Sequence, residues 1–207
     1  MKTVLAVLLL AGSGTVWGQS ADFWFSAGES LVSTYLGADP NVCTTGAQCQ
    51  SLGDNGKDLQ LTDGFRFGFR FGFNWKSRFG HEIQYAYSRT HLKYNDAQPV
   101  TELGMAIHQG GYNFLAYGTR EEARVRPFAT GGVQFANYVP PGASATYGGG
   151  STKLGFNYGA GVKVKLTGFW GVRLDLRQYV TPIPFGLALS SGWVHQTEAS
   201  AGVGVMF

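Results

Sequence analysis

The sequence is poor in charged residues and, beyond its first 20 residues, has no long hydrophobic run. Asp, Glu, Lys and Arg make up 14% of the chain, whereas soluble domains average roughly 25%. No apolar run in that part approaches the ~18 residues of a transmembrane helix. The net charge of +3 gives no electrostatic basis for binding nucleic acid. A membrane protein without such a helix crosses as a closed β-barrel, which pairs every backbone group within lipid.

Cysteine is nearly absent, since Cys43 and Cys49 are the only two in the chain. They share a loop rich in Thr, Gly, Asn and Gln, and in an exported protein such a pair is expected to form a local disulfide that shapes the loop. The alternative, a redox or metal pair, lacks the CxxC spacing and a nearby histidine. No two histidines stand at i and i+4, so the sequence predicts no metal site and no cofactor.

The first residues have the pattern of a secretory signal peptide. A cation, Lys2, precedes a short apolar run that ends at Gly12, and small residues follow. We predict a signal peptide over residues 1–20, with cleavage near residues 18–21. Residues 21–207 are then predicted to form a single transmembrane barrel domain.

The segment Gly64–Trp75 alternates strictly between aromatic and other residues. Phe or Trp holds every odd position, while Gly, Arg and Asn hold the even ones. Because successive strand residues point to opposite faces, the segment predicts a strand with one aromatic face and with Arg66 and Arg70 on the other. The predicted lipid-facing side chains of this strand are Phe65, Phe67, Phe69, Phe71, Phe73 and Trp75.

Related alternation along the chain predicts an all-β, eight-stranded antiparallel up-and-down barrel. Long loops and short turns alternate between the strands, as they do in outer-membrane barrels. The glycine pairs Gly110-Gly111 and Gly131-Gly132 are expected to mark bulges or kinks at which the phase of the strand slips. The predicted strands cover about residues 22–37, 59–75, 81–94, 105–118, 125–138, 153–166, 172–180 and 194–207. Further predicted lipid-facing side chains are Leu154, Phe156, Tyr158, Val162, Val203 and Val205.

The phase of the first strand is ambiguous. Turning Glu29 away from lipid would place Trp24 and Val32 on the outside. Tryptophans near strand ends, with Trp24 among them, are expected to form the aromatic girdles at the two membrane interfaces.

A soluble lipocalin-like barrel is the competing fold, with its polar face in water. Its polar face should be rich in Lys, Glu, Asp and Thr, whereas here the polar faces are rich in Gly with sparse charges of both signs. A narrow barrel interior needs small residues and mutually paired charges, so the pattern favours lipid outside. A second interpretation of the inward charges is a polar path for ions. The predicted lumen charge network is Arg66, Arg70, Glu82, Lys163, Lys165, Arg173, Asp175, Arg177 and Glu198.

The C-terminal residues resemble a known family. Ala199, Ala201, Val203, Val205 and Phe207 alternate up to the last residue, which resembles the assembly signal of bacterial outer-membrane barrels. The Gly-rich segments at 126–132, 159–162 and 171–177 resemble strands of the small OmpA/OmpX-like barrel domain. The resemblance implies an outer-membrane location in a Gram-negative-type bacterium, contact with its lipid, and recognition of Phe207 by the barrel-assembly machinery.

Three functional classes follow from these observations. We expect a structural or surface-interaction barrel with an occluded lumen and an extracellular ligand at its loops, and not an enzyme. A narrow pore for ions or small solutes is the first alternative. A rim-located enzyme using His91 or His195 with Ser190, Ser191 or Asp96 is the second, although such a site is recognised by geometry.

Overall fold

The computed structural model describes residues 19–32, 34–37, 59–75, 78–94, 101–140, 150–185 and 192–207. Regular structure in these residues is β only, and none of them lies in a helix long and apolar enough to cross a membrane. Residues 1–18 of the predicted signal peptide and the cysteine pair lie outside the described residues, whereas Gln19 and Ser20 begin the first strand. The strands are β1 (Gln19–Val32), β2 (Thr34–Gly37), β3 (Leu59–Trp75), β4 (Phe79–Tyr94), β5 (Thr101–Tyr117), β6 (Val125–Val139), β7 (Ser151–Thr167), β8 (Trp170–Pro182) and β9 (Trp193–Met206).

These strands form one closed antiparallel barrel. β1 and β2 follow one another along β3 and together make the first of eight barrel strands. β1 pairs with β3 on one side and with β9 on the other, which closes the sheet. The predicted eight-stranded up-and-down barrel is therefore confirmed.

The two ends of the barrel differ. At one end, the turn end, β3, β5 and β7 connect to the next strand over a few residues, and β1 begins there with Gln19 opposite Trp75. The opposite end, the loop end, carries the connections that follow β2, β4, β6 and β8, and three of these four are longer than any connection at the turn end. In outer-membrane barrels the short turns face the periplasm and the long loops face outward.

Turning Glu29 away from lipid would have required Trp24 and Val32 to face outward, and the first strand shows the opposite arrangement. Trp24 and Val32 point into the barrel, and Glu29 lies on the outer face close to the loop end of β1. Trp24 fits inside because two glycines leave room for its ring: a Cβ at Gly204 or Gly171 would lie within 3 Å of an indole carbon. The Asp22 carboxylate also accepts a hydrogen bond from the indole Nε1, at 2.8 Å. Trp24 is therefore not part of an aromatic girdle.

The bulges predicted at the two glycine pairs are also wrong. The register of β5 with β4 and with β6 runs without a shift through Gly110-Gly111, and that of β6 with β7 does so through Gly131-Gly132. The glycines instead allow close packing between neighbours, since a Cβ at Gly110 would lie 2.5 Å from the ring of Phe135. Register shifts occur elsewhere, for example between Thr62 and Phe65.

Candidate functional site in the barrel interior

The outer face of the barrel is a continuous belt of apolar and aromatic side chains. Leu154 is 77% exposed and Trp75 is 40% exposed. Aromatic rings on neighbouring strands contact one another within this belt, as do Phe25 and Phe69, whose ring centroids are 5.4 Å apart. The side chains predicted to face lipid all lie on this outer face, namely Phe65, Phe67, Phe69, Phe71, Phe73, Trp75, Leu154, Phe156, Tyr158, Val162, Val203 and Val205.

The inner face holds a buried cluster in which four guanidinium groups meet three carboxylates. At its centre, Glu82 accepts hydrogen bonds from Arg173 at 2.5 Å and from Arg177 at 2.8 Å. Asp175 accepts from the Nε atoms of the same two arginines, at 2.7 and 3.0 Å. We call the following residues the central ion cluster: Arg66, Arg70, Glu82, Arg173, Asp175, Arg177 and Glu198.

Glu198 links the remaining two arginines of the central ion cluster. It is 3.0 Å from Arg66 Nε, and it accepts a hydrogen bond from Arg70. The Tyr179 hydroxyl donates at 2.6 Å to Oε2, the oxygen that also faces Arg66, and the Arg66 guanidinium lies 4.5 Å from the centroid of the Tyr179 ring. Such pairing compensates the cost of removing these charges from water.

The two lysines predicted in the network lie outside the central ion cluster. Lys163 forms a separate buried pair with Asp22, at 2.6 Å and nearer the turn end. Lys165 is only half-buried, and its ammonium donates to the carbonyl oxygen of Glu121 at 3.3 Å. The predicted place of Lys165 in the network is therefore corrected. Lys165 lies two residues beyond Lys163, closer to the end of β7, where the lumen opens.

An apolar cluster lies between the central ion cluster and the loop end. A layer of amides and hydroxyls separates the two, in which Gln109 donates to Gln196 at 2.8 Å and Gln196 donates to Ser30 at 2.5 Å. We call the apolar group the loop-end plug, and Ile183 and Phe185 pack against it. Its buried members are Val32, Leu36, Leu59, Leu61, Leu92, Met105, Ile107, Ala136, Tyr138 and Val194.

Sequence analysis missed the neutral partners of the ion cluster and the loop-end plug. Gln84 accepts from Arg177 at 3.0 Å, and Ser26 accepts from Arg70 at 2.5 Å. The sequence did carry a signal for Gln84 and Ser26, because each lies on the inward, polar face of its strand. The plug was missed because its residues occupy inward positions that are polar further along the same strands.

The two rim histidines of the enzyme hypothesis do not converge. His91 on β4 and His195 on β9 are both exposed. They are separated by β3 and by the first barrel strand, which corresponds to about 14 Å at the usual strand spacing. Ser190, Ser191 and Asp96 lie outside the described residues. Within the described residues, no group of three or more His, Cys, Asp or Glu side chains is placed to hold a metal ion.

The closed barrel, its apolar exterior and its charged interior define an outer-membrane β-barrel protein. The family description "Outer membrane protein beta-barrel domain" matches residues 5–207. The chain therefore belongs to the outer membrane protein beta-barrel domain family and is located in the outer membrane of a Gram-negative bacterium. No curated protein sequence matches it significantly.

Solved structures are similar to this chain at low sequence identity. Neisserial surface protein A is 16% identical, with a TM-score of 0.56 over 92% of this chain and 100% of that chain. The N-terminal β-barrel domain of Pseudomonas aeruginosa OprF is 14% identical, with a TM-score of 0.48 over the same shares. The similarity to the neisserial protein concerns the fold alone.

Proposed function

We propose that this protein is a structural or surface-interaction barrel whose lumen is occluded. The observation that carries the proposal is the sequence of layers along the barrel axis. The central ion cluster is followed by amides and hydroxyls, and then by the loop-end plug. An eight-stranded barrel has an interior just wide enough for side chains to fill. A hydrated ion would have to displace paired charges and then apolar side chains to pass.

Conductance separates this proposal from the narrow pore. Purified protein, shown to be folded by a heat-dependent mobility shift on SDS gels, would be inserted into planar lipid bilayers. We expect no unitary conductance steps above those of protein-free bilayers. Regular steps that scale with the amount of folded protein would contradict the occluded lumen and support the pore.

Contacts outside the cell are proposed to involve the loop end. Loops held on a rigid scaffold commonly carry binding, and the three longest connections of the barrel are at this end. The segment with Cys43 and Cys49 belongs to them and lies outside the described residues. We propose no catalytic role for His91 or His195.

We also propose that the C-terminal strand is read by the barrel-assembly machinery. Phe207 follows β9 directly and is 75% exposed at the turn end, so its ring is free for another protein to contact. Phe207→Ala should reduce the amount of folded barrel in outer-membrane fractions, measured by immunoblot of unboiled samples. Leu154→Ala, an equally exposed apolar position on the outer face, is the matched control. Equal yields for both variants would contradict the role of Phe207.

A further inference from the structure

A small polar cavity opens at the turn end of the barrel and takes no part in the proposed function. Its volume is about 70 Å³. A single water needs roughly 10–15 Å³ on such a measure, so the cavity has room for a group the size of phosphate. Its polar lining comes mainly from Asp22, Asn74, Glu121, Arg126 and Lys165, with Phe207 at its edge.

Arg126 is the unusual member of this lining. Its side chain is 4% exposed, and its guanidinium carbon lies 3.8 Å from the centroid of the Tyr117 ring. Neither Nε nor Nη2 has a hydrogen-bond partner in the part of the chain that the structure describes. No carboxylate of those residues is within ion-pair distance of Arg126 either, in contrast to the four arginines of the central ion cluster. A buried guanidinium without an anion is costly, and Arg126 lines the cavity, so an anion bound there would offset that cost.

The charges around Arg126 favour an anion. Lys165 adds a half-buried ammonium whose one described contact is the Glu121 carbonyl oxygen. The Asp22 carboxylate is already occupied, because it accepts hydrogen bonds from Trp24, Asn74 and Lys163. Glu121 contributes the other negative charge of the lining. The lining therefore carries two cations, Arg126 and Lys165, and two side-chain carboxylates, of which Asp22 is already paired with Lys163.

We infer that this cavity binds a phosphate-class oxyanion, held by the Arg126 guanidinium and by the Lys165 ammonium. A planar guanidinium presents adjacent N–H groups that match two oxygens of one phosphate. Stacking on the Tyr117 ring fixes the plane of the Arg126 guanidinium before the ligand binds. The anion would reach the cavity from the periplasmic side, either as free phosphate or as the headgroup of a phospholipid.

Calorimetric titration with sodium phosphate tests the site. The folded full chain would be held in a maltoside detergent that contains no phosphate, with sodium chloride as the control titrant. We expect saturable binding of phosphate, weakened about tenfold in Arg126→Lys, which keeps the charge but loses the fork. Lys165→Gln removes a half-exposed charge and should weaken binding about threefold. Arg120 is an exposed cation on the turn between β5 and β6 and does not line the cavity, so Arg120→Gln should leave binding unchanged.

A competition experiment distinguishes the two sources of phosphate. If a lipid headgroup is the ligand, phosphatidylglycerol in the micelles should displace free phosphate, whereas neutral diacylglycerol should not. Free phosphate that neither lipid displaces assigns the site to a solute. Two results would overturn the inference: no saturable binding by the folded wild-type protein, or equal weakening by Arg120→Gln and Lys165→Gln. Because Lys165 is not needed to fill the interior, this comparison stands even where Arg126→Lys does not fold.

Discussion

Arg177→Ala is expected to lower the free energy of unfolding by about 3–5 kcal/mol, because it removes one partner from a buried charge network. Arg177 is 1% exposed and donates to Asp175, Gln84 and Glu82 at 3.0, 3.0 and 2.8 Å. Its loss leaves Glu82 and Asp175 buried with fewer donors. The shortened side chain also leaves a void in the lumen, which adds a packing loss.

Urea unfolding of the folded protein in lipid vesicles measures this effect, with the unboiled gel mobility as the readout of folded chain. Arg120→Ala is the matched control, because it removes an arginine that is exposed on the turn between β5 and β6. The control should change the unfolding free energy by about 0.5 kcal/mol or less. Equal unfolding midpoints for the two variants would show that the central ion cluster does not stabilise the barrel.

Gly132→Ala is expected to cost about 1–3 kcal/mol, because it forces an extra carbon into a fully packed contact. A Cβ at Gly132 would lie 2.1 Å from the Tyr112 carbonyl oxygen and 2.4 Å from Asn113 Oδ1. Both contacts are with the adjacent strand β5, where Asn113 stands opposite Gly132. The strand must move to admit the methyl group, and the inward Asn113 amide moves with it.

The neighbouring glycine provides a control on the same strand. A Cβ at Gly131 would come no closer than 3.8 Å, to the Asn157 carbonyl oxygen, which is an ordinary contact. Neither glycine has a positive φ, so neither substitution is strained by the backbone conformation. Gly131→Ala should be neutral, or stabilise by about 0.4–1 kcal/mol through the unfolded chain. Urea midpoints that fall equally for both variants would contradict the packing argument.

Much of the fold could be predicted because a barrel strand has a simple period. In β7, and in β3 from Phe65 onward, the aromatic and aliphatic residues stay on one face, so strand, phase and environment follow from the alternation alone. The eight strands follow from repeating that pattern between polar loops.

Other features depend on contacts between distant residues and could not be predicted in this way. Trp24 is accommodated inside the barrel by glycines on β8 and β9, about 150 or more residues away in the chain. The same holds for the pairing of Lys163 with Asp22 and for the exclusion of Lys165, since height along the barrel axis depends on strand register. The loop-end plug was missed because an inward apolar residue looks the same in the sequence as a lipid-facing one.

Fluorescence quenching by brominated lipids tests the central claim, that the aromatic faces contact lipid while the polar faces fill the interior. Two full-chain variants would each keep one tryptophan of the barrel, Trp75 or Trp24, with the others replaced by phenylalanine. Trp75 is 40% exposed on the outer face, whereas Trp24 is 0% exposed inside the barrel. In vesicles of acyl-chain-brominated lipid, the folded Trp75 variant should be strongly quenched and the folded Trp24 variant should keep its emission. Stronger quenching of Trp24 than of Trp75 would contradict the account.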